Sequence, residues 1–203
     1  MQLIGMLDSP YVRRVAVSMH LLGVPFEHRS ISVFRHFDAF AAINPVVKAP
    51  SLVCDDGEVL MDSALILEHV QFLAPQRRLS PVGGTERQHD LRLQGLALAA
   101  CEKTVQIVYE RTLRPPEKRH EPWVARVHRQ LAAACRLLDG ELATTPLATS
   151  SESITQAGVT CAVAWQFVHS MVPEQIGVDA HPALAAHGAA AEQLAAFRAA
   201  PPV

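Results

Sequence analysis

The chain has 203 residues, enough for one large domain or two modest ones, either of which buries a real core. With 49% apolar and 19% charged residues it is globular rather than disordered. The formal net charge of −2 gives no general pull toward nucleic acid or an anionic membrane, so neither is expected as a partner.

The start, Met1 to Leu7, is apolar but lacks a basic leader, and Asp8, Pro10 and Arg13 interrupt it, so a cytoplasmic location is the default expectation. Gln2 to Met6 reads as a short strand. Pro10 to Leu22 reads as a helix, with Val12, Val15, Ala16, Met19 and Leu22 on one stripe, ended by Gly23-Val24-Pro25. The basic pairs Arg13-Arg14 and Arg77-Arg78 read as solvated surface. Phe26 to Ile31 is a second strand, and a short helix is predicted near Phe37 to Ala42, stopped by Asn44-Pro45. Ser51 to Cys54 and Glu58 to Leu60 are strands joined at Asp55-Asp56-Gly57, a strong hairpin signal because Asp-Gly tolerates positive φ. Asp62-Ser63 opens another helix, with Ile66, Val70 and Leu73 on one face. The helical crossover makes the first two strands parallel and the hairpin adds an antiparallel edge, giving a mixed four-stranded sheet.

Residues 76–84, rich in Pro and Gly, mark a linker between a domain at 1–75 and a second at 85–203. The second is helical in period throughout. It contains Arg87 to Arg111, Pro122 to Leu142, a nearly all-apolar helix near Thr155 to Met171, and an alanine-rich tail that is helical until Pro201. The apolar run from Ala157 to Val168 is short of the roughly 18 residues of a membrane span and suits the centre of a bundle.

The four cysteines, Cys54, Cys101, Cys135 and Cys161, form no CxxC pair and read as reduced core thiols. Ten scattered histidines supply no HExxH, so no metal is expected.

Three local features meet in the first domain. They are Ser9-Pro10-Tyr11-Val12-Arg13-Arg14 at a strand-to-helix turn, Asn44 to Pro50 (NPVVKAP) before the third strand, and Met61-Asp62-Ser63 at a helix start. Their order and spacing resemble the glutathione transferase family of the thioredoxin superfamily, in its bacterial, serine-type form. The resemblance is carried strongly by the first 75 residues and more weakly by the helical remainder. It implies a thioredoxin-like α/β domain followed by an all-α bundle that closes the site over an apolar co-substrate.

Ser9 sits where its hydroxyl and nearby backbone N–H groups face an incoming anion. A thiol of pKa near 8.5 is mostly protonated at neutral pH, and a donated hydrogen bond plus a helix N-terminus favours the thiolate. Lowering that pKa by about 2 units needs roughly 2.7 kcal/mol, within reach of those two effects. Ser9 equally suits a plain helix cap before Pro, and the two roles are compatible. Tyr11 is the second candidate for the sulfur, or a packing residue at the site mouth. Neither end of the Ser9 to Val12 window is cysteine, which excludes dithiol redox chemistry there.

The resemblance implies a cis Ala49-Pro50 bond and strand-like pairing of the Ala49 backbone with glutathione; the sequence alone is satisfied by a trans turn. It also offers Lys48 to the glycine carboxylate, where an ordinary solvated lysine is the alternative. Ser63 would take the γ-glutamyl carboxylate and Asp62 the α-ammonium, although Asp-Ser is also a good cap. A second-substrate pocket is expected between the Ser9 loop and the fourth and sixth helices, with Tyr11, Tyr109, Arg111 and Arg114 as lining candidates.

The family's capping box at the central helix has an acidic third position, and here Thr155 is followed by Gly158. Losing that carboxylate is expected to cost about 1 kcal/mol, with Ser153 and Gln156 as an alternative box. The function implied is transfer of glutathione to a small apolar electrophile, or a related isomerase, dehalogenase or peroxidase reaction, by a homodimer without metal. The alternative is a non-catalytic binding or regulatory protein of the same fold.

Overall fold

A computed structural model describes residues 1–202, so Val203, the end of the expected second domain, lies outside the described residues. The chain forms two compact units: Met1–Leu79 together with the segment that starts at Gln193, and Ser80–Glu192.

The first unit is a four-stranded mixed sheet with helices. β1 (Gln2–Ile4) leads to α1 (Pro10–Leu22), β2 (Glu27–Arg29), α2 (Phe37–Ala41), β3 (Ser51–Val53), β4 (Val59–Met61) and α3 (Ser63–Leu73). The sheet order is β2-β1-β3-β4, with β1 and β2 parallel and the other pairs antiparallel. α1 ends as its sequence predicts. Gly23 takes φ 68°, and the Val24 N–H reaches back to the Met19 carbonyl at 3.0 Å. The hairpin turns at Gly57 (φ 90°), whose N–H donates to the Cys54 carbonyl at 3.0 Å.

One row of the sheet fixes where the loops go. Ile4 at the end of β1 pairs with Ser51 at the start of β3, and Ser51 pairs with Met61 at the end of β4. The Ser9 turn, the loop before β3 and the Asp62-Ser63 turn therefore all emerge from the same end of the sheet.

The basic pair in α1 departs from expectation. Arg13 and Arg14 are each only 1% exposed, not solvated. Arg13 Nε donates to the Ala200 carbonyl at 2.8 Å and its guanidinium lies over the Phe197 ring, so it holds the terminal segment and its short helix, α8 (Ala195–Arg198), to α1. Arg77 is half-buried and donates to the Leu21 carbonyl, while Arg78 is exposed.

The second unit is helical: α4 (Gly84–Thr112), α5 (Glu121–Thr144), α6 (Gln156–Met171) and α7 (Pro182–Ala191). α6 is buried along almost its whole length, as its apolar sequence requires. α7 packs on it closely. A Cβ on Gly188 would come within 2.7 Å of Trp165 Cδ1, so glycine is what lets the backbone approach the indole. The alanine-rich tail is not one helix, because α7 and α8 are separate, interrupted between Ala191 and Ala195. Three cysteines are buried, but Cys54 is only half-buried, with its sulfur 3.8 Å from His69 Nε2, and so is not a core thiol.

Among the described residues no helix is long and apolar enough to cross a membrane. No group of His, Cys, Asp and Glu among them is arranged to hold a metal ion.

Candidate functional site

Ser9 caps α1 from an extended backbone (φ −73°, ψ 122°). Its Oγ accepts from the Val12 N–H at 3.5 Å, long for a bond whose usual range ends near 3.2 Å. The hydroxyl is thus held at the helix N-terminus by a weak contact, and its own proton is available to another acceptor. Tyr11 is half-buried in the first turn of the same helix.

The approach of the loop before β3 depends on Gly5. Its φ of 136° suits glycine, and a Cβ there would meet Val12 Cγ2 at 2.6 Å and the Ala49 Cβ at 3.2 Å. Gly5 therefore lies between α1 and the loop before β3. Its carbonyl accepts from His28 Nε2 at 2.7 Å, which ties the end of β1 to β2.

The Ala49-Pro50 bond is cis, as the resemblance implied. Two buried side chains hold its loop. Asn44 Nδ2 donates to Ser51 Oγ at 2.8 Å, Asn44 Oδ1 accepts from the Val46 N–H at 3.0 Å, and Ser51 Oγ donates to the Lys48 carbonyl at 2.8 Å. Both loop ends are clamped by hydrogen bonds shielded from water, which rigidifies the backbone at Lys48 and Ala49.

At the third loop Asp62 adopts φ 72°, a conformation rare for a residue with a side chain. Such strain costs about 1–3 kcal/mol and gathers at ligand clamps and active sites. Asp62 Oδ1 caps α3 by accepting from the Ala64 N–H at 2.9 Å, and Oδ2 lies 3.8 Å from Lys48 Nζ. The pair is about half exposed on each side, so it adds at most about 1 kcal/mol. Ser63 is buried, and its Oγ accepts from Arg14 Nη1 at 3.1 Å.

Within the first unit, then, Ser9, Lys48, Ala49, Pro50, Asp62 and Ser63 lie on loops at one end of the sheet, and Lys48 and Asp62 touch. Sequence reasoning placed Arg14 and Asn44 within its motifs without giving either a role, and missed Gly5 altogether. No sequence signal marked Arg14, which lies on the face of α1 opposite the stripe of Val12, Val15 and Ala16. Cys54 follows β3 at the opposite end of the strand from Ser51, and burial, then Asp56, Asp55 and Glu58, push its thiol up.

Tyr109, Arg111 and Arg114 belong to the second unit. Tyr109 is 43% exposed on α4, with burial pushing its phenol up. Arg114 lies beyond the helix and pairs with Glu110 at 2.8 Å. Of the three, Arg111 lines a recess, together with residues of α5.

Residues 3–78 match the family model described as glutathione S-transferase, N-terminal domain. The chain is 24% identical over 173 residues to the uncharacterized GST-like protein YibF of Escherichia coli, covering 85% of each. It is similar to a glutathione transferase family member of Pseudomonas fluorescens Pf-5 solved with bound glutathione. The TM-score is 0.84 and the identity 28%, over 100% of this chain and 98% of the other. It is also similar to maleyl pyruvate isomerase, a bacterial glutathione S-transferase in Zeta class, with TM-score 0.77, 26% identity, and coverage of 100% and 97%.

Proposed function

Because residues 3–78 match the glutathione S-transferase N-terminal domain, we propose that the chain is a member of that family that binds glutathione at the loop end of its sheet, lowers the pKa of the thiol and adds the sulfur to a small apolar electrophile. The observation that carries this reading is the row Ile4, Ser51 and Met61, which sends the Ser9, Ala49-Pro50 and Asp62-Ser63 turns to one place.

Each group has a role its geometry allows. The Ala49 backbone, steadied by Asn44 and Ser51, pairs strand-like with the cysteinyl unit of the tripeptide. Ser63 already accepts from Arg14, so its own proton is left to donate to the γ-glutamyl carboxylate. Asp62 receives the α-ammonium, and Lys48 swings from Asp62 to the glycine carboxylate. The thiol proton leaves to solvent, and the thiolate is stabilised by the Ser9 hydroxyl and the N-terminus of α1. Tyr11 stands second to Ser9 for that contact.

A glutathione-dependent isomerisation begins from the same thiolate, and the 26% likeness to maleyl pyruvate isomerase favours keeping it beside conjugation. We read the protein as a cytoplasmic homodimer without metal. Exposed apolar side chains on α3, Leu65 and Phe72, support the association.

Calorimetric titration with glutathione tests the reading. Saturable binding is expected, weakened about ten- to hundredfold in Ser63→Ala, the loss of one hydrogen bond to a charged group. A folded wild type that does not bind glutathione would favour the regulatory alternative.

A further inference from the structure

In the second unit, the end of α4, the connection to α5 and the first turns of α5 enclose a recess of about 310 Å³, at the small end of ligand sites. Its charges are unevenly satisfied. The Glu110 carboxylate is fully engaged: Oε2 accepts from Arg114 Nε at 2.8 Å and Oε1 from the His120 N–H at 3.1 Å. Those contacts hold its carboxyl below the usual range, with the backbone bond from His120 the larger cause.

Among the described residues, the two arginines of the recess have no carboxylate partner of that kind. Arg119 Nη2 donates to the Arg111 carbonyl at 2.5 Å, which anchors one edge of its guanidinium, while its Nε is buried with no hydrogen-bond partner among the described residues. A buried N–H without an acceptor is unfavourable, and a small shift of the guanidinium toward an incoming oxygen would relieve it. Arg111 Nη2 lies 3.4 Å from His128 Nε2. A guanidinium only donates, so Nε2 accepts and the imidazole is neutral there. Burial, then Arg111, lowers the His128 pKa, in keeping with that state.

With Glu110 matched by Arg114, the lining retains Arg111 and Arg119 against Glu121, one positive charge in excess. Val124 and Ala125 supply a small apolar wall. We propose that this recess is a binding site for a small organic monocarboxylate, its oxygens taken by the Arg119 and Arg111 guanidinium groups and its hydrocarbon part laid on Val124. One excess charge and an apolar wall suit a monocarboxylate better than a phosphate dianion. The site lies wholly within the helical unit, and its existence does not depend on glutathione binding in the first.

The test is a titration of the full chain with benzoate, observed at the His128 ring by NMR. Saturable binding is expected, with the His128 pKa raised in the complex because an added anion favours the imidazolium. Arg119→Gln should weaken binding at least about tenfold, typical of a charge-assisted bond, with Arg119→Lys intermediate. Arg136→Gln, on exposed α5 surface, should leave it unchanged. Unsaturable shifts, binding indifferent to Arg119→Gln in a folded protein, or tighter binding of inorganic phosphate than of benzoate would each overturn the assignment.

Discussion

At Ser63, a hydroxyl that accepts from the Arg14 guanidinium at 3.1 Å must turn its own proton elsewhere, and the same buried cation favours an anion arriving there. Arg14→Met should therefore weaken glutathione binding about tenfold or more, and Arg14→Lys less, as judged by calorimetry on variants with unchanged circular dichroism. An unaltered Kd in folded Arg14→Met would separate Arg14 from the site. The turns at Ser9, Pro50 and Asp62-Ser63 were legible in the sequence as local turn signals, whereas the cis form of Ala49-Pro50 followed only from the resemblance. Arg14 was not legible, since two adjacent arginines look solvated until it is known that α3 lies against one and the chain's terminal segment against the other.

At the scale of helices, the second unit caps two N-termini from other helices. Thr155 caps α6, accepting from the Gly158 N–H at 3.2 Å, whereas Ser153 bonds Ser150 and takes no part. The acidic residue missing at Gly158 has a replacement. Asp90 of α4, itself buried and held by Arg87 and Gln94, accepts from the Ala157 N–H at 3.1 Å. A Cβ at Gly158 would come within 2.9 Å of Ile154 Cγ1, so that position has no room for the usual carboxylate. The expected loss of stability from Gly158 is thus offset. Asp139 of α5 serves α7 in the same way, accepting from the Leu184 N–H at 2.9 Å. Removing the Asp90 carboxylate in Asp90→Ala strands a buried N–H and should cost about 1–3 kcal/mol, lowering Tm by roughly 2–4 °C for each kcal/mol in a chain of this size. An unchanged melting curve would show that the cap contributes nothing. A capping box is a local pattern at fixed spacing, so a carboxylate 67 residues away leaves no such trace.

Over the whole chain, periodicity and turn residues were enough to order the strands and helices and to separate a sheet unit from a helical one. They did not show that the segment from Gln193 belongs with the first unit, because that depends on Arg13 reaching the Ala200 carbonyl across the sequence. The central claim concerns what the first unit does to a bound thiol, and ultraviolet titration of the glutathione thiolate on the protein measures that directly. In the wild type the bound thiol should ionise about 2 pH units below its free value near 8.5, and Ser9→Ala should return most of that shift. A bound thiol that ionises at its ordinary pH in the wild type would contradict activation altogether. A shift that persists in Ser9→Ala would move the role to Tyr11 or to the backbone at the start of α1.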